Sequence, residues 1–229
     1  LRFDLYLLDH VIDEYANPPN DARSLAIDRE STEMYLDAGA LVGWRFAWWL
    51  VGDLRLRGAY VAFRNVHAVD AAKTPLPSPE KNGWDVALQA ELTADRRQHL
   101  FGVTWGPYVQ LHLESSVPEL DSYGYQIALL RAYYSWVLFG RQELELRTNV
   151  QIARHLPFNE ELTEGGVADL RCYELDQFRG DLRTLARAVY VWPRGTGRMF
   201  ALRAITFWDS GFVGNYFHRA FLQASIDFQ

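Results

Sequence analysis

The chain has 229 residues and a formal net charge of -6, and it carries no basic stripe of the kind that binding a phosphate backbone requires, which sets nucleic acid aside as a partner. Its single cysteine, Cys172, excludes an internal disulfide framework and a Cys-based metal cluster. No run approaches the ~20 apolar residues of a membrane-spanning helix, yet 8 Trp, 12 Tyr and 13 Phe make the chain rich in aromatic residues.

In chain order, Leu1, Phe3, Leu5 and Leu7 alternate with Arg2, Asp4 and Tyr6, the period-two signature of a strand with two unlike faces. The chain opens in mid-strand without a basic-then-apolar leader, as expected of a mature or trimmed product. Asn17-Pro18-Pro19-Asn20 ends that strand. A second strand is predicted from Ser31 to Phe46, running into a hairpin crowded by Trp44, Trp48 and Trp49. A third, from Val51 to Asn65, sets Asp53, Arg55 and Arg57 against Leu54, Leu56 and Tyr60. Residues 73–83 form a Pro-rich loop.

The alternation then sharpens. Val86, Leu88, Ala90 and Leu92 oppose Asp85, Gln89 and Glu91, and Val109, Leu111 and Leu113 oppose Gln110, His112 and Glu114. Tyr125 to Phe139 pairs through Gly140-Arg141-Gln142 with Glu143 to Ile152. Gly165 to Asp181 breaks the pattern, because it is too polar for a core and too long for a tight hairpin, and a loop of that kind generally carries function. Strands resume around Leu182 to Trp192 and Phe200 to Trp208, and the chain closes with Leu222, Ala224, Ile226 and Phe228 against Gln223, Ser225 and Asp227.

About ten long strands with almost no helical period make one all-β domain over residues 1–229, either a soluble sandwich or barrel or a transmembrane antiparallel β-barrel. Strand length, Trp44, Trp84, Trp105, Trp136, Trp192 and Trp208 near strand ends, and a last strand that finishes on an aromatic residue favour the membrane barrel. On that reading the apolar parity, with Leu144, Leu146, Val150 and Leu202, meets lipid. Arg55 with Arg57 and Glu145 with Arg147 then pair across strands inside.

Leu170-Arg171-Cys172-Tyr173, then Phe178-Arg179-Gly180-Asp181 leading into a strand that ends at Trp192-Pro193, then Phe207-Trp208-Asp209-Ser210-Gly211, together resemble the BamA/TamA-type bacterial surface-antigen superfamily of outer-membrane barrels. The resemblance implies a sixteen-stranded barrel in the bacterial outer membrane, serving protein assembly or translocation, with a long extracellular loop, here 159–181, folded back inside. Arg171 and Tyr173 match the family's loop-tip motif, and Phe207, Asp209 and Gly211 match its F-x-D-x-G strand motif. These five are the expected loop-to-barrel lock: Arg171 reaching Asp209 beside Phe207, on the face shared with Arg203, where Gly211 leaves room. Ile226 and Phe228 mark the terminal strand expected to close the barrel as a seam that can open.

Three departures accompany the match. Cys172 replaces the tip glycine, Val189 stands where such proteins often carry a second acidic partner, and only about three strands follow the loop, as if residues were missing near 215–221. The implied partners are outer-membrane lipid and lipopolysaccharide, unfolded client proteins and periplasmic accessory proteins. No cofactor and no metal are implied. His112 with Ser115 and His155 with Asn159 do not exceed chance as catalytic pairs, His99 and His112 stand alone as metal ligands, and no enzyme is expected. The competing expectation is a passive pore, or an anchor for a fused or partner domain such as a patatin-like lipase.

Overall fold

The computed structural model describes residues 2–15, 27–70, 72–78, 80–100, 103–139, 142–157, 160–164, 170, 178–196 and 201–214. Their regular elements are all β-strands, twelve in chain order. Nine pair side by side in one antiparallel sheet: β1 (Arg2–Tyr15), β2 (Ile27–Ala47), β3 (Leu50–Ala68), β4 (Gly83–Asp95), β6 (Val103–Ser116), β7 (Gln126–Leu138), β8 (Gln142–Arg154), β11 (Leu182–Thr196) and β12 (Ala201–Gly214). The short β5 (Gln98–Leu100) folds back on the start of β6 and makes the sheet ten-stranded, while β9 (Leu162–Glu164) and β10 (Phe178–Gly180) pair only with each other. Among the described residues β1 and β12 are the two edges.

Chain neighbours are sheet neighbours, so the topology is an up-and-down meander. Connections alternate in length. Trp48–Trp49 joins β2 to β3, and residues 139–141 join β7 to β8, at one end of the sheet; residues 69–82, 117–125 and 155–181 bridge the other. Short turns at one rim and long loops at the other are the habit of outer-membrane barrels.

The two faces are inverted relative to a water-soluble protein. On β4, Trp84, Leu88 and Leu92 are 57%, 46% and 43% exposed, while Asp85 and Ala87 between them are fully buried. Likewise Leu54 and Leu56 point outward from β3 and Leu146 and Val150 from β8, whereas Arg57 and Glu143 are buried on the opposite parity. Burying charge while exposing leucine is unfavourable in water and favourable when the exterior is hydrocarbon. Outward aromatics gather at both rims. Tyr60 and Trp84 meet at 5.4 Å at the long-loop end, and Tyr134 with Trp136 and Tyr190 with Trp192 pair at 4.2 and 4.7 Å toward the short-turn end. From Trp84 to Ala94, ten residues along β4, the strand covers about 33 Å at ~3.3 Å per residue, or roughly 25 Å of height at a 40° tilt, which is the height of an outer-membrane apolar band.

The predicted strands are all present where they fall on described residues, and the Trp turn between β2 and β3 is where the sequence puts it. Two features differ. β2 begins at Ile27 rather than Ser31, and β5 is a strand that three residues are too few to announce by alternation. The Asn17-Pro18-Pro19-Asn20 turn and the closing strand with Ile226 and Phe228 lie outside the described residues.

Candidate functional site

The concave face carries its polar side chains because every inward position of β2, β3, β4 and β6 shares one parity across the register, as in Gly39–Arg57, Arg57–Ala87 and Ala87–Ser116. At the long-loop end these positions converge on Arg57. Its Nη2 meets Asp85 Oδ2 at 2.5 Å and Glu114 Oε1 at 3.0 Å, and Tyr125 Oη lies against the same nitrogen. Nη1 donates to Tyr35 Oη at 2.7 Å and to Glu160 Oε1 at 3.2 Å. Tyr125 Oη in turn lies 2.9 Å from Asp85 and 2.8 Å from Glu114, so that its one O–H donates to one carboxylate or the other. A second ring surrounds the first. Gln89 donates to Glu114, His112 stands between Glu91 and Glu114, and Arg55 binds Asp37 at 2.8 Å. Arg55 can lie flat because Gly39 has no side chain; a Cβ there would come within 2.7 Å of its Nε.

Glu160 makes this cluster more than barrel filling, because it does not belong to the sheet. It precedes β9, whose Leu162 is buried against Ala87, Tyr125, Ile127 and Ala153 on the concave face. The returning strand β10 lies over the end of β12: a Cβ on Gly180 would come within 2.7 Å of the Gly214 carbonyl, so only glycine permits that approach. Asp181 completes the anchor, its N–H donating to Gly214 O at 3.2 Å and its carbonyl accepting from Ala153 N at 2.7 Å. On β10, Arg179 attracts Glu33 of β2 electrostatically. Residues 160–164 and 178–181 therefore lie over the concave face, with Glu160 and Arg179 facing β3 and β2 and Asp181 tied to the ends of β8 and β12.

Burial pushes the Glu160 carboxyl up to about 7; the neighbouring Asp85 and Glu114 charges add to the rise and Arg57 opposes it. Three carboxylates around one guanidinium leave an excess of negative charge, and a proton on Glu160 relieves it.

The F-x-D-x-G residues are placed on one face. Phe207, Asp209 and Gly211 all take the inward parity of β12, with Asp209 opposite Arg187 in register and Phe207 opposite Val189. Arg187 Nε binds Asp209 Oδ1 at 2.7 Å, so the strand motif has an arginine partner on β11 before any loop residue is considered. Val189 lies between Phe207 on one side and Glu145 on the other. Arg171 and Tyr173 fall outside the described residues, as does the contact expected of them. His112 and Ser115 point to opposite faces of β6, and His155 sits in an exposed turn at φ 54°. Sequence reasoning missed Asp85, Glu114, Tyr125 and Glu160 as partners of Arg57. Their inward parity was visible, but nothing in their spacing links residues 57 and 160.

No protein-family model matches the chain, and no curated protein matches it in sequence. Among solved structures it is similar to BamA from Haemophilus ducreyi, in a crystal structure lacking POTRA domains 1-3, with a TM-score of 0.71 and 13% identity over 95% of this chain. The likeness is one of fold: the sheet is that of a BamA-type barrel. The chain spans about half of that protein, 48% of its solved length.

Proposed function

We propose that the chain is the barrel of an integral outer-membrane factor that assists the assembly or translocation of other proteins, as the BamA/TamA resemblance implies, and that it does so without catalysing a reaction. The observation that carries this reading is the strap: a loop whose base is held by Glu160 on Arg57 and by Gly180 on Gly214, inside a sheet that turns leucine outward and charge inward. A barrel built only to anchor needs no such internal contact, whereas one that handles passing chains gains from a plug that is seated but releasable. Outer-membrane lipid and lipopolysaccharide would surround it, and unfolded outer-membrane or secreted proteins would be its clients.

The test is reconstitution of the complete gene product into liposomes, followed by the rate at which an unfolded outer-membrane β-barrel client acquires protease-resistant structure. Acceleration over empty liposomes is expected. A rate equal to that of liposomes carrying an unrelated barrel would mark the chain as a passive anchor or pore.

A further inference from the structure

The outward, apolar side of the sheet is not evenly covered. Leu88, Ala90, Leu113, Ser115, Ala128 and Ile152, on the outward parity of β4, β6, β7 and β8, line a recess of about 460 Å3. Register explains the dip. One cross-strand row reads Ala90, Leu113, Ala128, Ile152, so side chains of a single methyl alternate with long ones. The next row toward the long loops reads Leu88, Ser115, Gln126, Arg154.

The recess has a polar end at the long-loop rim. β6 ends at Ser116, β7 begins at Gln126 and β8 ends at Arg154, so Ser115, Gln126 and Arg154 are the last outward side chains before the long loops. Gln126 and Arg154 are exposed and stand opposite each other in register. Arg154 is also the only charged residue on the outward parity of β4, β6, β7 and β8. A lone arginine at the end of an apolar face, its stem along hydrocarbon and its head toward water, is placed as interfacial cations are.

We propose that the recess seats one phosphate-bearing lipid of the leaflet on the long-loop side, with an acyl chain over Ala128 between Leu113 and Ile152 and its phosphate at Arg154 and Gln126. A void beside hydrocarbon forfeits dispersion contacts that a flexible chain restores, and the volume falls within the ~300–1,000 Å3 of small-molecule sites. A guanidinium matches phosphate geometry. Arg154 also interacts within the protein, and its five donors serve both contacts. An added protein strand does not fit, because β4, β6, β7 and β8 already have hydrogen-bonded neighbours on both sides. The inference rests on the outward assignment of this parity and not on any client.

The test adds phosphatidic acid, or diacylglycerol with the same chains, to the full chain in detergent and counts retained lipid by native mass spectrometry. Ala128→Leu fills the recess, Ala132→Leu adds the same bulk further along the same face of β7, and Arg154→Gln removes the charge; circular dichroism checks the sheet in each. One saturable phosphatidic acid per chain is expected, held at least tenfold more tightly than diacylglycerol. Ala128→Leu should weaken it at least tenfold and Ala132→Leu should not, while Arg154→Gln should bring it to the level of diacylglycerol. No saturable lipid, equal retention of the two lipids, or equal effects of the two leucine substitutions would overturn the proposal. A chain whose position 146 contacts lipid yet retains no phosphatidic acid would lose the recess and keep the barrel.

Discussion

Glu160 and Arg57 are 103 positions apart in the chain and meet at 3.2 Å across the concave face. The contact ties a loop to a strand four places away in the sheet, with Asp85, Glu114 and Tyr125 already on the same guanidinium.

Arg57 is the group on which this cluster depends. Replacing it with alanine leaves Asp85 and Glu114 buried without their counter-ion, a loss that runs to about 3–5 kcal/mol for buried pairs. Glu160→Gln keeps an acceptor for Arg57 and should cost less than ~1 kcal/mol. Urea unfolding in detergent separates the two; equal costs would mean that Glu160 carries the site.

Docking of the loop base should strengthen as pH falls. The Glu160 carboxyl is raised to about 7 in the docked state, against about 4.3 for a free glutamate. Between those values the docked state holds the extra proton, so stability is greatest below the lower value and is lost as pH rises through the upper one. Limited proteolysis within 165–177 should therefore be slower at pH 5 than at pH 8, and Glu160→Gln should flatten the difference. Faster cleavage at pH 5 would show that the ionised pair, not the proton, holds the loop.

Asp209 has Arg187 as its partner at 2.7 Å, so two arginines compete for it if Arg171 reaches the lumen as the motif implies. Double-mutant cycles should give Arg187 and Asp209 a coupling of about 0.5–3 kcal/mol in barrel stability. Arg171→Ala and Asp209→Ala should each raise protease sensitivity of the loop, with the double variant little worse than either. Strictly additive effects would remove Arg171 from this site.

How much could be read from the chain follows from the range of each signal. Alternation is local, so residues such as Leu54 against Arg55 or Leu146 against Glu145 already assign a face to each strand, and the tandem Trp48–Trp49 marks a turn. The F-x-D-x-G parity was legible for the same reason. The Arg57 cluster was not, because it depends on the register of four strands and on a strap that arrives from residue 160. β9 and β10 are three residues each, below the length at which a period can be recognised.

An arginine at an outward position tests the lipid assignment energetically. Leu146 is 42% exposed on the apolar parity, and Leu146→Arg should cost about 2–4 kcal/mol when the chain folds into a bilayer. A cost near zero in lipid would place that face in water.

The most direct measurement is to ask which parity touches hydrocarbon. With Cys172, the sole cysteine, changed to serine, a single cysteine at position 145 or 146 takes an environment-sensitive fluorophore in proteoliposomes. The barrel account predicts that the probe at 146 is quenched by lipids spin-labelled on their acyl chains and shielded from aqueous iodide, and that the probe at 145 behaves oppositely. Both probes quenched by iodide alone, or the two patterns exchanged, would contradict it.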